Sequence, residues 1–188
     1  MPKIDPTSDL FVYAMTLKEF LEHCTGDWFA QRTNYGIDSP GEANSKATLA
    51  VTDLAVDHAV IAEAKKQFPE MSVLAAWEIA FDNSSDWAKK SLEQGSALMV
   101  FCGDSEPDTA EGKVFQRLAN GSTATGHFWW EDTGALNVQL FAGELEMNEK
   151  IWFATSDSQN LRLRSSTTKK AGEVLRATFY SEIRRMKA

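Results

Sequence analysis

The sequence predicts a mainly β fold of about ten antiparallel strands accompanied by two short helices. Three patterns carry this. First, from Val73 onward short runs of strand character follow one another with little interruption, at Val73–Phe81, Ala97–Cys102, Lys113–Leu118, Thr123–Trp130, Leu136–Phe141, Lys150–Ala154, Asn160–Ser166 and Val174–Ile183. Second, the links between them, such as GDSEPDTAEG, ANGS, EDTG and SDSQN, are rich in turn formers, and EDTG reads as a hairpin. Third, only two stretches have helical character. Many short strands in 188 residues form either a sandwich or a closed barrel, and closure removes the exposed strand edges.

Taken in order, residues 1–15 read as a loosely held segment, after which Thr16-Leu17-Lys18-Glu19 forms a capping box ahead of Leu17, Phe20 and Leu21. The first helix therefore covers Leu17–His23. Gly26 ends it, and Asp27–Tyr35 alternates aromatic and polar residues as a strand does. IDSPGEANS is a loop by its Pro, Gly, Asn and Ser content, and Lys46–Asp53 is a second strand pairing back. Asp57–Phe68 has helix formers throughout, an acidic start, a basic end and Pro69 to stop it, so it is a helix inserted between strands.

The length suits one domain over residues 1–188, and 43% hydrophobic with 24% charged residues is ordinary for a globular chain. A net charge of −8 argues against nucleic acid or an anionic membrane as the main partner. The N-terminus lacks a basic region followed by an apolar run, and no apolar run is long enough to span a bilayer. Cys24 and Cys102 then read as reduced thiols of a cytoplasmic protein. His23, His58 and His127 lack the spacing of a metal site, and no serine stands in a triad context. Six Trp and eleven Phe can fill a core or wall a pocket for a flat conjugated ligand.

The most pointed chemistry lies in Gln159–Ser166. On an extended strand Leu161 and Leu163 face one way while Arg162, Arg164 and Ser166 face the other. Two guanidinium groups roughly 7 Å apart suit an anion with two separated carboxylates, while the alternative is a solvated strand face. Arg32 shares a face with Trp28 on the first strand, and is either a further anion contact or an outward, solvated arginine.

Gly26-Asp27-Trp28 after a short helix resembles the entry motif of lipocalins and calycins, in which the Trp closes one end of a barrel and an Arg near the last strand covers its ring. Arg184 or Arg185 can supply that cover, and the alternative is a plain core tryptophan. Three blocks, GDWFAQRTNY (26–35), EKIWFATSDSQNLRLR (149–164) and FYSEIR (179–184), resemble in order and spacing the S-type phycobiliprotein lyases, the CpcS/CpeS family. The middle of the chain, about residues 36–125, matches only in outline. The Thr155–Asn160 link is longer than the family's turn, and the Asp57–Phe68 helix has no close counterpart.

The resemblance implies a ten-stranded antiparallel lipocalin-like (calycin) barrel that binds a linear tetrapyrrole, a bilin, and attaches it through a thioether to a cysteine of an apo phycobiliprotein subunit. The bilin, phycoerythrobilin or phycocyanobilin, is the substrate, with no cofactor besides. A bilin reductase is the implied donor, a homodimer the implied assembly, and cyanobacterial cytosol, plastid stroma or the cytosol of a virus host the setting. The residues suit such a ligand. Arg162 and Arg164, with Ser166 and Arg32, can hold its two propionates; Glu149 or Glu182 can orient its pyrrole nitrogens; Trp77, Trp152, Phe153 and Trp28 can wall its π-system. Glu149 and Arg162 are the expected catalytic pair. Two other readings are a carrier that performs no transfer and one subunit of a heteromeric lyase.

Overall fold

The computed structural model describes residues 15–36, 42–83, 94–104, 109–155 and 158–185. Its elements are α1 (Leu17–Cys24), β1 (Gly26–Gly36), β2 (Glu42–Asp53), α2 (Ala59–Gln67), β3 (Ser72–Asp82), β4 (Gln94–Gly103), β5 (Glu111–Leu118), β6 (Thr123–Glu131), β7 (Ala135–Ala142), β8 (Leu145–Thr155), β9 (Ser158–Lys170) and β10 (Glu173–Arg184). Each strand pairs antiparallel with its sequence neighbours, and β1 pairs with β10 to close a ten-stranded barrel. Every predicted strand is present, most of them longer than its apolar run, because ladder pairing carries on through polar residues. The expected link Thr155–Asn160 is mostly strand: Thr155 pairs with Ser158, and only 156–157 fall outside the described residues. The segment 1–14, most of the IDSPGEANS loop and the centre of GDSEPDTAEG also lie outside them.

Alternation sends Trp28, Val51, Trp77, Met99, Phe101, Val114, Phe128, Leu136, Val138, Leu140 and Ile151 into the barrel. Helix α1 plugs one end. Its capping box forms, with Glu19 N–H donating to Thr16 Oγ1 at 3.3 Å and Thr16 N–H to Glu19 Oε2 at 2.9 Å. Leu17, Phe20, Leu21 and Cys24 turn into the barrel, where Phe20 meets Trp130 and Phe153 at ring-centroid distances of 4.8 and 5.2 Å. Each such buried side chain contributes about 1.5–3 kcal/mol of burial free energy. Helix α2 instead lies on the outer wall, with Val60, Ile61 and Ala64 against Ala76, Val100, Cys102 and Phe115. Its cap is His58 rather than an acidic start, the Val60 N–H donating to His58 Nδ1 at 3.3 Å. Among the described residues no helix is long and apolar enough to cross a membrane.

The plugged end explains Gly26-Asp27-Trp28. Trp28 is fully buried and its indole N–H donates to the Cys24 carbonyl at 3.1 Å. Arg184, not Arg185, covers its ring at 4.2 Å, and Arg162 lies at 4.3 Å from it as well. The Arg184 guanidinium donates onward to the carbonyls of Thr25 (2.8 Å), Gln159 (3.3 Å) and His23, so it takes up carbonyls that α1 leaves open at its C-terminal end. Gly26 sits at φ +121, and a Cβ there would come within 2.7 Å of Arg184 Nη1. A side chain is excluded twice, by backbone strain and by the seal. Gly26→Ala is therefore expected to destabilise the fold by about 1–3 kcal/mol, read as a lower urea midpoint at unchanged m-value; an unchanged midpoint would count against the seal.

Candidate functional site

Above the plug the barrel holds a buried cluster of four charges. Strand β9 turns Arg162 and Arg164 inward, β10 supplies Glu182 and Tyr180, and β8 supplies Glu149. Register brings them together: Arg162 stands between Phe153 and Glu182, Arg164 between Ile151 and Tyr180, and Ser166 between Glu149 and Thr178. Arg162 Nε donates to Glu182 Oε2 at 2.5 Å. Arg164 Nη2 lies 2.9 Å from Glu182 Oε1, an ion pair without hydrogen-bond alignment, and Arg164 Nη1 donates to Glu149 Oε1 at 3.1 Å.

These residues face the interior, so the solvated-face alternative for the arginines does not hold. Arg162 is 5% exposed and Glu182 0%. Burial pushes the Glu182 carboxyl up, but the Arg164 and Arg162 guanidinium groups outweigh it and hold the carboxyl below its ordinary value. Burial also opposes the charge on Arg164, and Glu182 and Glu149 more than offset it, so that guanidinium stays firmly protonated. At Cys24 burial outweighs the lowering by the Arg162 and Arg184 guanidinium groups and raises its thiol above the usual range.

The two arginines are not equivalent. Arg162 is part of the floor, with Nε on Glu182, Nη1 on the Cys24 carbonyl at 3.1 Å and its plane over Trp28. A twin clamp of Arg162 and Arg164 therefore does not form: the lower member is committed to the plug. Arg164 lies one layer up, stacked 3.9 Å from the Tyr180 ring, and its Nε is a buried donor without a hydrogen-bond partner. Arg32 is on the same layer, across Tyr180 on β1, its Nε donating to Ser45 Oγ. Toward the end opposite α1, inward residues such as Leu49, Ile79, Ala124, Met147, Ser166 and Tyr180 are only half-buried. The interior is thus shut at α1 and less fully buried toward its other end, with Arg164, Arg32 and Glu149 between.

The predicted aromatic walls divide. Trp77 is inward and packs edge-on to Phe101 at 4.9 Å, whereas Trp28 and Phe153, 6.3 Å apart, belong to the plugged end. Trp152 is a correction: it stands on the outer face beside Phe179, at 6.3 Å, because its neighbours Ile151 and Phe153 take the inward positions. Tyr180 was missed. Its place two residues before Glu182 on a strand puts both on one face, which is the signal that could have found it.

A closed antiparallel barrel plugged by an N-terminal helix, with a charged cluster in its interior, defines a lipocalin-like barrel. The chain matches the model of the CpeS-like protein family over residues 16–185, and it belongs to that family. Chromophore lyase CpcS/CpeS 1 of Synechocystis sp. is 29% identical, over 96% of this chain and 97% of that one. Chromophore lyase CpcS/CpeS of Thermosynechococcus vestitus is 30% identical, over 90% and 93%. The solved structure of the S-type phycobiliprotein lyase CPES from Guillardia theta shares the fold, with a TM-score of 0.75 at 24% identity over 93% of this chain and 95% of that one.

Glu182→Gln leaves two buried guanidinium groups short of a counter-charge and is expected to destabilise the protein by about 3–5 kcal/mol at neutral pH, read by urea unfolding. Because the Glu182 carboxyl is depressed in the folded state, its contribution is complete above the ordinary carboxylate range, ~4.3, and is lost as pH falls through the folded value. The wild type is expected to lose stability in acid more steeply than the variant. The variant keeps the shallower loss carried by surface carboxylates such as Glu131, which Lys150, Thr133 and Asn137 hold down to about 2.

Proposed function

We propose that this chain is a phycobiliprotein chromophore lyase that holds a bilin non-covalently in the open half of the barrel and passes it to a cysteine of an apo phycobiliprotein subunit. The observation that supports this reading best is the inward charged cluster of Arg164, Glu149, Arg162 and Glu182 inside the barrel of a chain of this family. A bilin carries two propionates on a long conjugated frame. Arg164 and Arg32 lie two strands apart in register, roughly 10 Å at the usual strand spacing, which suits two carboxylates reached from above. Arg164 meets one of them with its unpartnered Nε, and Ser166 stands within the same layer to donate its hydroxyl. Arg162 and Glu182 position Arg164 from below rather than touching the ligand.

Glu149, at the upper edge of the cluster, faces the pyrrole nitrogens and favours their protonated state. A protonated bilin is a better electrophile at its ethylidene group. The acceptor thiolate adds to the ethylidene carbon, forming the C–S bond, and the proton completes the addition on the adjacent ring, so nothing is expelled and no lyase nucleophile is needed. Catalysis is then positioning and electrostatics, worth several kcal/mol of barrier when the reacting atoms are held in near-attack geometry. Cys24 and Cys102 are both buried, consistent with a lyase that forms no covalent adduct of its own.

The test is to mix the purified chain with phycocyanobilin and with phycoerythrobilin, follow the absorption band, and then add an apo subunit or its Cys→Ala variant. A red-shifted, sharpened band followed by a thioether adduct on the apo subunit alone is expected; binding with no adduct on any subunit would leave a carrier instead. Arg164→Gln is expected to weaken bilin binding by about 10–100-fold, as loss of a charge-assisted hydrogen bond does. Glu149→Gln is expected to bind with a weakened red shift and transfer at least ~10-fold more slowly, equivalent to about 1.4 kcal/mol of barrier. An unchanged band together with an unchanged rate would remove Glu149 from this role.

A further inference from the structure

The Arg164–Glu182 pair leaves one donor and one acceptor without a hydrogen bond. Arg164 Nε and Glu182 Oε1 are both buried and both unpartnered, although Arg164 Nη2 lies only 2.9 Å from that same Oε1. A guanidinium is a planar fork, and an unhindered one turns to meet a carboxylate through two parallel N–H···O bonds. A buried donor and acceptor that can satisfy each other and do not are costly, so something holds this fork out of line. Arg162 shows the aligned alternative on the same carboxylate, its Nε donating to Oε2 at 2.5 Å. Its aromatic neighbour, Trp28, stands two strands away on β1. At Arg164 the ring is closer in register: Tyr180 is its direct partner across β9 and β10, with the guanidinium carbon 3.9 Å from the ring centroid.

We infer that Tyr180 is a positioning residue: its ring holds the Arg164 guanidinium out of alignment with Glu182 and so keeps the Nε donor for a carboxylate arriving inside the barrel. Two contacts fix the plane of the fork. Nη1 donates to Glu149 Oε1 at 3.1 Å and anchors one tip, but a single hydrogen bond leaves the fork able to swing about that tip. The Tyr180 ring lies against the face and opposes the swing, because aligning Nε with Glu182 lifts the guanidinium off the ring and loses the cation–π contact. Glu182 lies two residues along β10 on the same face, so ring and carboxylate compete for one guanidinium from adjacent layers. The ring acts through Arg164, and its hydroxyl has no part in the stacking. The inference rests on the binding reading above, since it is the ligand's propionate that receives the bond withheld from Glu182.

The ligand-free chain gives the first test, by nitrogen-15 NMR. The Arg164 Nε–H resonance, assigned by its loss in Arg164→Gln, is expected to move downfield in Tyr180→Leu as the donor turns onto Glu182, and to stay in place in Tyr180→Phe. Binding of phycocyanobilin gives the second. Tyr180→Leu is expected to weaken it by about 2–30-fold, the range of a cation–π contact, while Tyr180→Phe binds as the wild type does. In an Arg164→Gln background Tyr180→Leu is expected to weaken binding no further. Tyr180→Met, a flexible chain without a ring, decides the matter if the leucine variant fails to fold. A resonance unmoved in the ringless variants, a loss of binding that Tyr180→Phe shares, or one that persists without Arg164 overturns the assignment. A wild type that binds no bilin removes the binding reading instead, and the resonance still decides what Tyr180 does to Arg164.

Discussion

The buried carboxylate of Glu182 is the interaction on which the rest of the structure depends. Two guanidinium groups inside a barrel are tolerable only if a counter-charge is already there, since the desolvation cost of an unpaired buried ion exceeds what packing can return. Glu182 faces Arg162 below and Arg164 beside it, and so links the helical plug to the open half of the barrel. Through Arg162 the same carboxylate reaches the Cys24 carbonyl and the Trp28 ring, which are the joints between α1 and β1. The floor and the layer above it are thus joined through one carboxylate, by a hydrogen bond to Arg162 and an ion pair to Arg164.

That arrangement explains a division of labour among residues of one chemical type. Arg184 and Arg162 both cover Trp28, yet one seals the helix to the barrel from outside and the other from inside. Arg164 and Arg32 belong to the next layer, one step further from the plug. Each step toward the opening trades packing for availability: Trp28 is inert, Arg162 is committed, Arg164 keeps a donor unspent. A rigid floor beneath a partly unsatisfied layer is what preorganised binding requires, because the ligand then spends little on ordering its site.

Closure of the sheet has a second consequence. A strand has only two faces, so each charge drawn inward on β9 and β10 sends an apolar neighbour outward. Leu161, Leu163, Phe179 and Ile183 lie on the surface because Arg162, Arg164, Tyr180 and Glu182 hold the interior. This apolar outer face is therefore coupled to the polar interior by geometry, and changes in one constrain the other.

Much of this was readable in the residues alone. Alternation and turn composition located the strands, the Thr16–Glu19 box located α1, and the three blocks of resemblance pointed to the family and to Arg162, Arg164, Glu149 and Glu182 as its charged residues. Those signals are local, carried by neighbours on one strand or one helical turn. The facing of β9 was not local: the arginines and leucines alternate identically whether the leucines or the arginines point inward. Only pairing with β8 and β10, which brings Glu149 and Glu182 within ion-pair distance, decides that the arginines go in. The same decision turned Trp152 outward, spent Arg162 on the plug and left Arg164 with a free donor, because those outcomes depend on which strands meet in space and not on the order of residues along any one of them.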